Sequence, residues 1–196
     1  MKKSWIVIGV IALIVIGLYS TFKGAYNNMV TMSEAVDAQW SQVENVYQRR
    51  ADLIPNLVNT VKGYASHEKE TFESVIEARS KATSITIDAN NLDASSLLKF
   101  QQAQDGLSQA LSKLMLVVER YPDLKANQNF LDLQAQLEGT ENRIAVERKK
   151  FNEKVKEYNT FIKKFPNNIF AGIFGFNQKP YFKAESGAEK APEVKF

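Results

Sequence analysis

Residues Trp5 to Phe22 run WIVIGVIALIVIGLYSTF without one charged side chain. As a helix rising about 1.5 Å per residue, these 18 residues reach roughly 27 Å, just enough to span a hydrocarbon core. Trp5 and Tyr19 stand near the two ends, where amphipathic rings favour the interface. A cleaved signal peptide also has a basic start and an apolar core. Here the apolar run is longer than such a peptide needs, and Tyr19 to Ala25 offers no good small-x-small cleavage site. Residues 1–23 are therefore read as an uncleaved anchor, which makes a membrane the first expected partner. Lys2 and Lys3 flank one side and only Lys23 the other. Basic flanks stay in the cytoplasm, so the rest of the chain is expected outside it.

The same three lysines account for the whole net charge of +3, leaving residues 24–196 with 22 basic and 22 acidic side chains. A neutral body whose longest basic run is three residues, Arg148 to Lys150, lacks the footprint of a nucleic-acid binder. The chain has no cysteine. Disulfide scaffolds, thiolate metal sites and cysteine nucleophiles are thereby excluded.

After the anchor, apolar residues recur at helical spacing. Val36, Trp40, Val43, Tyr47 and Ile54 mark a first stripe with no proline or glycine from Tyr26 onward, so anchor and first bundle helix form one nearly continuous rod with Gly24 its weakest point. Pro55 lacks an amide hydrogen and clashes with the carbonyl of Ala51. It is read as the start of a second helix after a tight break at Ala51 to Ile54, with a kink in one longer helix as the alternative. Leu57, Val61, Phe72, Val75 and Ile76 carry that second stripe to about Ser84. Asp88 to Ser96 is a polar loop in which Asp93 or Ser95 can cap a third helix. Leu97, Phe100, Gln104, Leu107, Leu111, Leu114 and Val118 form its seam, and Pro122 ends it. A fourth helix from about Ala126 to Phe165 carries Phe130, Leu137, Ile144, Phe151, Val155, Tyr158 and Ile162. The fold class is all-α: an N-terminal transmembrane helix, an antiparallel four-helix bundle over 24–166, an apolar C-terminal extension over 167–182 and a disordered tail over 183–196.

Few residues invite chemistry. His67 with Glu68 and Glu70 suggests a metal, but a zinc-protease pattern needs two histidines one turn apart, and the chain has one. No metal or other cofactor is expected. Glu141 and Arg148 fall on the buried stripe of the fourth helix, where Glu44, Arg49, Arg50 and Arg79 can meet them. Carboxylates and arginines without histidine, cysteine or metal make a poor proton shuttle at neutral pH. These six residues are read as a structural buried polar network that fixes helix register, with Arg148 paired to Glu141, Glu44 or both. Trp40 is expected to be buried against the third and fourth helices. Phe165 to Phe182 holds five of the chain's 12 phenylalanines after a bundle whose core is already closed. Phe170, Phe174 and Phe176 are expected to touch lipid or neighbouring subunits, or else to cap their own bundle.

Several runs resemble the LemA family. They include Trp40-Ser41, Arg49-Arg50, Asp52 to Val58 (DLIPNLV), Thr60 to Ala65 (TVKGYA) and His67-Glu68. Further on, Tyr121-Pro122, Leu124 to Asn127, Gly139 to Ala145 (GTENRIA), Arg148, Tyr158-Asn159 and Phe165-Pro166 also match. Phe151 departs from the tyrosine expected there. The resemblance covers roughly residues 1 to 182. It implies a short N-terminal segment, one membrane helix and an antiparallel four-helix bundle, and no enzyme activity. Some members are linked to membrane organisation, and family descriptions place the short N-terminus outside the cell, opposite to the charge reading. The function expected is a non-enzymatic, self-assembling membrane scaffold forming homo-oligomers. The alternatives are a monomeric adaptor recruiting an unknown soluble protein, or an unrecognised metal-dependent enzyme.

Overall fold

The computed structural model describes residues 2–89 and 92–183, with side chains from residue 5. The expected disordered tail lies outside the described residues, apart from Lys183. Among the described residues the chain is all-α, with α1 at Lys2–Lys62, α2 at Lys69–Ser84, α3 at Ala94–Val118, α4 at Pro122–Lys125, α5 at Gln128–Lys163 and α6 at Asn167–Phe174. The bundle is formed by the later part of α1 with α2, α3 and α5. Helix α5 packs along α1, α2 packs on α3 and α1, and α6 bridges α1 and α5.

Helix α1 passes through both Gly24 and Pro55 without a break. The expected break at Ala51 to Ile54 is therefore corrected to one continuous helix, and the chain turns only at Gly63 to Glu68. A proline inside a helix leaves the carbonyl four residues back without its amide donor. That carbonyl belongs to Ala51, and the Arg79 Nε of α2 donates to it at 2.7 Å. The helix survives its proline because a neighbour supplies the missing bond.

Two apolar clusters stack along the bundle. One, nearer the apolar end of α1, gathers Met29, Val36, Trp40, Val43, Phe100, Phe151, Val155 and Tyr158. The other, farther out, gathers Ile54, Leu57, Val61, Val75, Leu107, Leu114, Leu124 and Phe130. Trp40 is fully buried, edge-on to Phe100 of α3 and Phe151 of α5, at 5.3 and 5.7 Å between ring centres. Helix α3 opens on Asp93, whose carboxylate accepts from the amides of Ser95 and Ser96. Those bonds hold the Asp93 carboxyl below its usual range, the Ser96 hydroxyl contributing most.

The C-terminal extension is a short helix followed by an extended strap. Gly175 takes a left-handed φ of 76°, which ends α6 in the way glycine allows. Residues 176–183 then run back along α5.

Candidate functional site

The most polar part of the interior lies between the two apolar clusters. Arg50 of α1 is 1% exposed. Its Nη1 donates to Glu141 Oε1 of α5 at 2.7 Å and to Ser108 Oγ of α3 at 3.0 Å. Its Nη2 donates to Gln104 Oε1 at 2.6 Å and to the Gln104 carbonyl at 3.3 Å. Gln104 Nε2 in turn donates to the Ala82 carbonyl of α2 at 3.2 Å. One layer thus ties all four bundle helices together. The guanidinium also lies over the Tyr47 ring, 5.2 Å from its centre. Burial pushes the Tyr47 hydroxyl's pKa up, against the pull of Arg148 and Arg50.

The six residues expected to share one network are distributed differently. Arg50 and Glu141 share an ion pair. Arg79 serves the Ala51 carbonyl. Arg49 is exposed. Glu44 is partly buried beside Trp40. The buried Trp40 indole N–H has no partner of standard hydrogen-bond geometry. It is close enough to favour the charged Glu44 carboxylate, yet burial outweighs this and raises that group's pKa. Arg148 reaches outward, donating to the Lys183 carbonyl at 3.0 Å and lying over the Phe182 ring at 4.8 Å. Glu141, which with Glu44 was one of the two partners expected for Arg148, is bonded by Arg50. A single sequence does not tell which of four arginines reaches a given carboxylate.

The strap forms a second polar arrangement. Asn159 Nδ2 donates to the Lys179 carbonyl at 2.8 Å, and its Oδ1 accepts from the Lys179 amide at 2.9 Å. Asn152 repeats the pattern on Phe182, at 3.1 and 2.9 Å. The Tyr158 hydroxyl donates to the Asn177 carbonyl at 2.9 Å, and Gln101 Nε2 to that of Lys183 at 3.0 Å. The Lys179 ammonium pairs with Asp37 of α1. Two asparagines seven residues apart on α5 thus read the backbone of the strap as a neighbouring strand would. Phe182 stacks on Trp40 with 21° between planes, closing the cluster around the indole. The spacing of Asn152 and Asn159, each following a stripe aromatic, was the available signal for this clamp.

Phe170 and Phe174 pack edge-on against Phe22, and Phe174 and Phe176 against Tyr26, with centres 4.8 to 5.9 Å apart. Their rings cap the chain's own α1.

None of these arrangements has the parts of a reaction centre. The Ser108 hydroxyl accepts from Arg50 and donates to the Gln104 carbonyl, with no imidazole beside it. His67 is exposed. Glu68 pairs with Arg120 at 2.9 Å rather than joining His67 and Glu70 in a ligand set. No group of three or more such side chains converges among the described residues. A cleft of about 990 Å³ opens between the strap and the start of α3. Its polar walls, Asp93, Tyr158, Asn159 and Lys179, are already bonded within the chain.

The LemA family model matches residues 39–196. The chain belongs to the LemA family. Its relatives include the magnetosome protein MamQ 2 of Paramagnetospirillum magneticum, 29% identical over 192 residues that cover 89% of this chain and 71% of that protein. MamQ of Magnetospirillum gryphiswaldense is 28% identical over 194 residues, covering 90% and 71%. Protein LemA of Metamycoplasma hominis is 24% identical over 153 residues, covering 78% and 66%. In this LemA-family chain the DLIPNLV run is the stretch of α1 whose proline Arg79 accommodates, and the GTENRIA run supplies Glu141 to the polar layer.

Proposed function

We propose that the chain is a non-enzymatic, single-pass membrane protein that works as a self-assembling scaffold at the membrane surface. The observation that carries this reading is the continuity of α1. The charge-free run, fully exposed from Trp5 to Tyr19, continues as one helix into the core of the bundle. A protein that only needed tethering could use a flexible linker. A rigid union of anchor and bundle suits one that must hold a fixed attitude to the bilayer. Among the described residues, the buried side chains Arg50, Gln104 and Asn159 are bonded to other helices or to the strap and do not converge on an open cleft. Apolar side chains remain on the bundle's outside, Ile76 at 56%, Leu116 at 70% and Val146 at 50% exposure, and offer contact area to further copies. The relatives called magnetosome proteins carry no reaction in their names.

The test is the native mass of the full-length protein in detergent. A mass several times that of one chain is the expected result, and a purely monomeric particle sinks the scaffold in favour of an adaptor. The Lys2 and Lys3 flank supports an extracytoplasmic bundle. A reporter active only outside the cytoplasm, fused after Lys195, is expected to give signal. Signal from a cytoplasmic reporter instead reverses the orientation.

A further inference from the structure

Helix α6 has two apolar faces. One, through Phe170, Ala171 and Phe174, is turned onto α1. The other carries Ile169 and Ile173 at 51% and 64% exposure, spaced four apart so that they share a side, and Phe165, in the turn just before the helix, is 80% exposed. No charged residue occurs from Phe165 to Gln178. A soluble surface seldom presents such a cluster uncovered. Its level in the fold says what covers it. Phe22, which receives Phe170 and Phe174, is the last residue of the charge-free run that begins at Trp5. The outer face of α6 therefore continues the exposed apolar surface of the span, at the height where that span ends. Lys23 follows Phe22, and Lys163 and Lys164 precede Phe165, all three exposed. Apolar insertion beside lysines is the pattern of a helix lying in the headgroup boundary of an anionic bilayer.

We propose that α6 and the turn before it form an interfacial foot: Phe165, Ile169 and Ile173 enter the bilayer beside the anchor, and Lys23, Lys163 and Lys164 meet anionic headgroups. The chain then touches the membrane through two elements, the span and a helix from the other end of the sequence. The side facing lipid is the outer one, distinct from Phe170 and Phe176, which pack inward.

The chain contains no cysteine, so single spin labels can be placed on the full-length protein in vesicles of phosphatidylcholine and phosphatidylglycerol. Ile169→Cys and Ile173→Cys are compared with Leu13→Cys in the span and Leu116→Cys on the outer bundle. The expected result is a ratio of oxygen to nickel-complex accessibility several-fold above that at Leu116 and approaching that at Leu13. Circular dichroism of each labelled protein guards against misfolding, which two independent label positions also control. A ratio equal to that at Leu116 overturns the proposal. So does spin–spin broadening at Ile169 and Ile173 that disappears on dilution with unlabelled protein, since a second copy would then be the cover. Depth is read on each chain by itself, so a monomeric particle in detergent would sink the scaffold and leave this proposal standing.

Discussion

Trp40→Ala is expected to cost the fold about 3–5 kcal/mol, the range for deleting a large buried aromatic. The indole is fully buried and touches Phe100, Phe151 and Phe182, which come from α3, α5 and the strap. No one of these can collapse into the space without dragging its own element. Each kcal/mol shifts the melting temperature of a domain this size by roughly 2–4 °C, so a drop on the order of 10 °C is expected. Thermal unfolding of the full-length protein in detergent, followed by circular dichroism, reads it directly. An unchanged midpoint would mean that Trp40 does not join these elements.

The second large effect lies in the polar layer, and it is unequal between the partners of one ion pair. Arg50 is enclosed, its side chain 2% exposed, whereas that of Glu141 is 42% exposed. Arg50→Ala removes bonds to three side chains on two helices and leaves the Gln104 carbonyl groups short of a donor. A loss of about 3–5 kcal/mol is expected, as for breaking a buried pair. Glu141→Gln keeps an amide oxygen for the same hydrogen bond, and water screens the site. A smaller loss of about 1–2 kcal/mol is expected, the scale of a hydrogen bond to a charged group. The double variant should cost less than the sum, because the two changes remove the same contact. Equal losses from the two single variants, or strict additivity, would contradict the geometry of the layer.

The long apolar N-terminal helix, the stripes and the third-helix cap were legible because each is a local rule. Charge-free length, three-four spacing and an aspartate before a serine pair act within one or two turns. Pro55 was misread as a helix start because its consequence is local but its remedy is not. The bond that replaces the missing amide comes from Arg79, 28 positions along the chain. The same limit applied to Arg50. The sequence placed four arginines and two glutamates near the bundle interior, and only packing selects which guanidinium is enclosed. The strap was the least legible part. Residues 176–183 have neither helical nor strand periodicity, because their partners are the amides of Asn152 and Asn159 and not a ladder of main chain. Asparagines on a helix read as surface residues until the segment that they bind is in place.

Helix α1 has a further consequence, which is one of distance. Between Phe22 and Lys62 it continues for 40 residues without interruption, or roughly 60 Å at about 1.5 Å per residue. If the proposed span ends at Phe22 and the rod stands along the bilayer normal, the turn at Gly63 to Glu68, and the Arg120–Glu68 pair beside it, would stand about that far above the headgroups. The Debye length at physiological salt is about 8 Å, so the outer tip lies many screening lengths beyond the membrane's surface potential. The proposed foot and the tip of one molecule would thus occupy electrostatically separate worlds. The rod would then set a fixed stand-off between the tip and the lipid.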